Sequence, residues 1–209
     1  MTLHNNRLIQ AVAAIILLMA ATDAAAQFRW GPTAGLTLTN LNFKQDLLPV
    51  SQVTGGSGGV QIEMMFPGVG FGFDTGLIYE LRGADIDWGA KKMWASQGMG
   101  KERLYLHYVD IPLHLRFKYT RLGGVEDYVA PLVFGGPSFG LMMGHSTNKA
   151  LKYAFGEVGL AAGIGVELYK RWQITASYTW GMTYAMKAKT LTNYSAQNRT
   201  WDFRVSYFF

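Results

Sequence analysis

Apolar and polar residues alternate along most of this chain with a period of two. In "YVDIPLHLRFKY", Val109, Ile111, Leu113, Leu115 and Phe117 fall on one side and Asp110, Pro112, His114, Arg116 and Lys118 on the other. That period belongs to a β-strand. "FRWGPTAGLTLTN" sets Trp30, Ala34, Leu36 and Leu38 against Arg29, Gly31, Thr33, Gly35 and Thr37. "GVQIEMMF" and "FGFDTGLIYELRG" divide the same way, with Gln61 and Glu63, then Asp74, Glu80 and Arg82, on their polar sides. In the second half, "GEVGLAAGIGVELY" opposes Glu157, Glu167 and small residues to an aliphatic row, and "WQITASYTWGM" opposes Gln173, Thr175, Ser177 and Thr179 to Trp172, Ile174, Ala176, Tyr178 and Trp180. "WDFRVSYFF" puts Trp201, Phe203, Val205, Tyr207 and Phe209 on one face and Asp202, Arg204 and Ser206 on the other. An eighth segment, "YVAPLVFGGPSFGLMM" at 128–143, is apolar on both faces and its facing stays open.

Repeated segments of about ten alternating residues separated by turns are the pattern of a transmembrane β-barrel. The links between them alternate in length. Those at 67–70, 121–127 and 170–171 are short; those at 40–56, 84–102, 144–152 and 184–198 are long and polar. Outer-membrane barrels place short turns in the periplasm and longer loops outside. The pattern therefore predicts an all-β fold, an eight-stranded antiparallel up-and-down transmembrane barrel with both ends on the periplasmic side.

A soluble barrel would turn the apolar row inward around a ligand and wet the charges. Side-chain size favours the opposite facing: glycine alternates with charge on the polar side, and bulky aromatics stand at the strand ends. Small residues fit the inside of a tight cylinder and large ones fit lipid and its interfaces. Phe66, Phe71, Tyr119, Tyr128, Tyr169, Trp172, Tyr207 and Phe209 flank the short turns, and Tyr79, Tyr105, Trp180 and Trp201 lie toward the long links. They read as two interfacial girdles.

Composition locates this barrel. Residues 1–26 carry Arg7 in a short polar lead, an apolar run over 11–21 and Ala24, Ala25 and Ala26, the layout of a cleaved signal peptide. The barrel domain is then 27–209. The formal charge of +5 comes without a basic cluster, which gives no footing for nucleic acid. With no cysteine, disulfides and thiolate metal sites are excluded.

"WGPTAGLTLTNL", "GLIYELRGAD", "YVDIPLHLRFKY", "FGGPSFGLMM", "GLAAGIGVELY" and the aromatic final strand, in this order, resemble the PorT-like family of outer-membrane β-barrel proteins. The most specific elements are Asp110, Ile111, Pro112 and Leu113, followed by Gly136 and Pro137. The resemblance implies integral insertion in the bacterial outer membrane. It also implies that the barrel-assembly machinery reads the row Trp201, Phe203, Val205, Tyr207 and Phe209. One branch of that family is associated with protein secretion. The resemblance brings no catalytic, cofactor or metal residue with it.

Candidate chemistry is sparse. His107, His114 and His145 form no metal pair with a nearby carboxylate, and His145–Ser146 lacks an acidic orienting partner in sequence for lipid hydrolysis. Neither an enzyme nor a cofactor is expected. Two readings stand: a structural, adhesive or secretion-accessory barrel acting through its surface loops, and a narrow channel for ions or small solutes. An eight-stranded interior is just wide enough for side chains to fill, and a lumen charge network of Glu63, Asp74, Glu80, Arg82, Asp110, Arg116, Glu167 and Arg204 is expected to plug it. Counted from the short turns, Glu63, Asp74 and Arg116 sit at similar depth, so Arg116 is expected to pair with Asp74, Glu63 or both. Arg204 is expected to find Glu167 or Asp202. Outer-membrane lipid is the expected surrounding. An envelope protein partner is expected at the long loops, where Trp88, Lys91, Lys92, Met93 and Trp94 offer adaptable apolar groups among cations.

Overall fold

The chain closes on itself through its first and last strands. The structure is a computed structural model describing residues 27–43, 50–66, 68, 70–87, 101–119, 123–145, 151–188 and 195–209. Its strands are β1 (Gln27–Phe43), β2 (Val50–Met65), β3 (Phe71–Asp87), β4 (Lys101–Pro112), β5 (His114–Lys118), β6 (Val129–His145), β7 (Leu151–Tyr153), β8 (Gly156–Leu168), β9 (Trp172–Gly181), β10 (Met186–Ala188) and β11 (Ser195–Tyr207). β4 and β5 are one barrel strand interrupted at Leu113; both lie between β3 and β6. β7 and β10 pair with each other at the long-link end. Eight antiparallel barrel strands result, closed by β1 against β11 from Thr33 opposite Ser206 to Phe43 opposite Ala196. Closure removes the unpaired edges that lipid could not satisfy.

The interruption at Leu113 has a local cause. Pro112 has no N–H to give to the ladder, and Leu113 N–H donates to the Pro137 carbonyl at 2.9 Å. Opposite it, Gly136 has φ 156°, and a Cβ there would come within 2.4 Å of the Leu113 oxygen. Glycine permits that approach.

Facing follows the predicted register in all seven segments for which one was read. The open segment now has its facing: Ala130, Leu132, Ser138, Gly140 and Met142 are buried in the lumen, while Val129, Val133, Phe139, Leu141 and Met143 face out. Outside, Leu36, Leu77, Leu115, Ile164, Ile174 and Phe203 are exposed along the wall. At the short-turn end Trp30, Phe209, Tyr207 and Trp172 form a chain of ring contacts at 5.1, 5.3 and 4.9 Å. Toward the other end Tyr178 contacts Trp180 at 4.6 Å and Trp201 at 4.8 Å.

Beyond this second girdle the polarity inverts. Asn42, Ser51, Thr54 and Arg103 are exposed on the outside, and Arg103 holds Asp85 through two hydrogen bonds of 2.8 and 2.9 Å. Inside, Leu41, Val53, Ala84, Leu104, Leu106, Met142 and Ala196 are buried together. The predicted links at 40–56 and 84–102 are corrected accordingly: β1 runs to Phe43, β2 starts at Val50, β3 runs to Asp87 and β4 starts at Lys101. Above the hydrocarbon an outward apolar row has no lipid to meet, so these strand ends lack the alternation that marks the embedded part.

The β8–β9 hairpin turns on two residues, Tyr169 (φ 50°) and Lys170 (φ 60°), with Arg171 N–H donating to the Leu168 carbonyl at 3.1 Å. Both central residues are left-handed, as a type I′ turn requires. Neither is the glycine or asparagine that accepts this conformation without strain. Lys170 Nζ lies 2.6 Å from Asp127 Oδ1 across the short-turn rim. Hydrogen bonding to that carboxylate raises the Lys170 pKa.

Candidate functional site

The lumen is filled in layers, and the first lies just inside the short turns. Glu63 on β2 is its centre and is fully buried. It accepts hydrogen bonds from Arg116, from Arg29, from Lys118 Nζ at 2.9 Å and from Gln173 Nε2 at 2.5 Å. Arg116 Nε donates to Asp74 Oδ2 at 2.7 Å, and its Nη1 to Gln173 Oε1 at 2.6 Å. Glu167 closes the ring, taking Lys118 at 2.7 Å, Arg29 at 2.5 Å and Gln173 at 2.9 Å. Three carboxylates, Glu63, Asp74 and Glu167, thus meet three cations, Arg29, Arg116 and Lys118. Below them Phe208 is buried, with the Arg29 guanidinium 5.3 Å from its ring centre.

A second charged layer lies deeper. Arg82 Nε donates to Glu80 Oε2 at 2.7 Å, its Nη2 reaches Asp110 Oδ1 at 3.3 Å, and its Nη1 stands 3.7 Å from Glu157 Oε2. The same guanidinium lies 4.9 Å from the Tyr108 ring centre. Asn198 donates to Glu157. Arg204 Nη2 donates to Glu80 Oε1 at 2.5 Å and stands 3.4 Å from Asp202 Oδ1. Here four carboxylates surround two guanidinium groups. His114, stacked on Phe134 with centroids 5.4 Å apart, is buried on the same inner wall.

The structure brings Arg116 onto both Asp74 and Glu63, and Glu80, Arg82, Asp110 and Arg204 into one group. Of the two partners expected for Arg204, the structure gives Asp202 and not Glu167: Glu167 is taken by Lys118 and Arg29, and Arg204 also crosses to Glu80. Arg29, Lys118, Glu157, Gln173 and Asn198 were missing from the predicted network, although all lie on the inward parity of their strands. Trp201, Phe203, Val205 and Phe209 are exposed on the outer wall and Tyr207 is half-buried there. Trp88, Lys91, Lys92, Met93 and Trp94 lie outside the described residues, as does Ser146; His145 ends β6 on the exposed rim. Among the described residues no group of His, Asp and Glu has the arrangement to hold a metal ion.

Both layers set charged side chains across the interior of the barrel. Buried charges are tolerable only when paired and hydrogen-bonded. Here they are held by ion pairs within strands, between neighbours and across the lumen, with an apolar layer above them; only the Asp202 carboxylate, 3.4 Å from Arg204, has no hydrogen bond among the described residues. A closed antiparallel barrel with an apolar outer band, two aromatic girdles and a charged, filled interior is an integral outer-membrane β-barrel. The chain belongs to the Outer membrane protein beta-barrel domain family, which it matches over residues 20–186. The crystal structure of OprG from Pseudomonas aeruginosa is similar at a TM-score of 0.52 and 12% identity, covering 88% of this chain and 97% of that one. Neisserial surface protein A shows a TM-score of 0.48 at 13% identity, covering 86% and 97%. Ail of Yersinia pestis shows 0.45 at 14%, covering 87% and 99%. Among curated proteins none matches the chain.

Proposed function

We propose that this barrel is an envelope component with a structural, adhesive or secretion-accessory role, acting through the segments joined to its long-link end. The observation that carries this reading is the double layer of cross-lumen ion pairs, centred on fully buried Glu63, Arg116 and Glu80. A path for solute would have to break several of these pairs at once. Single-channel recording in planar bilayers tests it: the purified barrel should give no sustained, well-defined openings, and reproducible openings would replace this reading with the narrow channel.

A finer affiliation with the PorT-like branch is supported by the stretch Asp110–Ile111–Pro112–Leu113, which forms the strand interruption packed against Gly136 and Pro137. The row Trp201, Phe203, Val205, Tyr207 and Phe209 serves insertion as the strand that the assembly machinery engages. Replacing Phe209 with Glu should lower the heat-modifiable barrel recovered in the outer-membrane fraction while leaving export intact; undiminished recovery would remove that role.

A further inference from the structure

The outer wall of a narrow barrel is convex, so a concavity on it is unusual. One lies at mid-height across β1, β11, β9 and β8, with a volume of about 560 Å³ and almost wholly apolar walls. Its floor is low where Ala34 and Ala176 stand, and it is flanked by Leu36, Phe203, Ile164 and Ile174. The strand register explains the shape: Ala34 faces Val205, and Ala176 lies between Phe203 and Ile164, so small side chains sit inside a ring of large ones. It is a shallow groove, open along the wall, and so suits a flexible chain lying against the barrel instead of an enclosed ligand.

The groove leads down to a cation. Between it and the short-turn end lies the girdle of Trp172, Tyr207, Phe209 and Trp30. Arg171 ends the turn that leads into β9, beneath that girdle. Its Nη1 donates to the Tyr207 hydroxyl at 3.1 Å, which lays the guanidinium along the outer wall, and it makes no ion pair among the described residues. Arg171 is three residues from Ile174, about 10 Å along a strand, which places the charge at headgroup level and the groove at acyl level of the same leaflet. Short turns face the periplasm in outer-membrane barrels, so that leaflet is the periplasmic one.

We infer that a glycerophospholipid of the periplasmic leaflet docks on this wall, with one acyl chain in the groove beside Ala34 and Ala176 and its phosphate on Arg171. The charge is complementary, the girdle aromatics supply the amphipathic passage between headgroup and chain, and the remaining guanidinium donors suit a phosphate oxygen pair. The inference rests on the outer-membrane facing established above and is independent of what the long-link end binds.

Native mass spectrometry of the detergent-solubilised barrel titrated with phosphatidylglycerol tests it. One saturable adduct is expected, with diacylglycerol binding far more weakly and inorganic phosphate failing to compete. Arg171→Gln should weaken the adduct about fivefold, the worth of one cation near an anionic lipid surface. Ala176→Trp, which fills the groove from a lipid-facing position, should remove it. Heat-modifiability of both variants confirms that they fold. Adducts that accumulate without saturating, an adduct indifferent to both substitutions, or a barrel dimer that is lost on Ala176→Trp would overturn the assignment.

Discussion

The half of the barrel set in lipid and the half that projects beyond it obey opposite rules along the same strands. In the embedded half, β1 shows Trp30 and Leu36 to the outside, turns Arg29 inward and buries Thr33 and Thr37; farther along, it shows Asn42 to the outside and buries Leu41. The backbone register does not change between them. What changes is the surroundings: hydrocarbon excludes polar side chains from the wall and drives charge into the lumen, while water above the girdle restores the usual preference for an apolar inside. The projecting half is built on the plan of a soluble barrel, continuous with a membrane barrel beneath it.

Charge pairs should therefore differ most between the halves. Arg116→Ala strips Asp74 and Glu63 of a fully buried partner, and losing one member of a buried pair costs about 3–5 kcal/mol. Arg103→Ala removes a well-formed pair with Asp85 on the exposed outer face of the projecting half, where about 1 kcal/mol or less is expected. Urea unfolding of both variants in lipid vesicles measures the gap, and equal losses would break the comparison.

A smaller effect should come from the wall itself. Leu77→Arg introduces a charge at mid-height of the lipid-facing band and should cost about 2–4 kcal/mol. Asn42→Arg, on the outside above the girdle, should be close to neutral. The same unfolding assay applies, and a neutral Leu77→Arg would mean the band sits elsewhere on the barrel.

The smallest effect concerns the rim at the other end. Replacing Tyr169 and Lys170 together with Asn and Gly relieves the left-handed turn they occupy, a conformation that costs an ordinary residue about 1 kcal/mol or more, and should stabilise the barrel slightly. The exposed ion pair to Asp127 that is lost contributes little against this. A lower midpoint for the double variant would show that the turn is held by contacts of these side chains instead.

The embedded half was legible in the sequence because lipid forces a strict alternation there. The depth of Arg116 could be counted from Tyr119, and its partners from Phe66 and Phe71, since these aromatics mark one interface. The count reached Asp202 beside Arg204 but not the contact of Arg204 with Glu80, which is on β3 with β1 and β2 between: strand stagger and the span across the lumen decide that pairing, and neither is written in local spacing. The segment at 128–143 gave no facing because glycine, proline and aliphatic residues occupy both parities; the tight approach of Gly136 to Leu113 is a property of two strands together. The start of β2, "VSQVTGGSGG", has no apolar row of its own, yet it pairs as strand because β1 and β3 template it on either side.

The length of those strands sets a height. β1, β3 and β6 each run 17 residues, whereas about 9–11 suffice to cross the hydrocarbon at the usual tilt. The surplus lifts the strand ends roughly 15–20 Å above the apolar band. The barrel is thus a pedestal as well as an anchor, and a macromolecule reaching its rim, an antibody among them, meets it above the level where lipid headgroups crowd the surface.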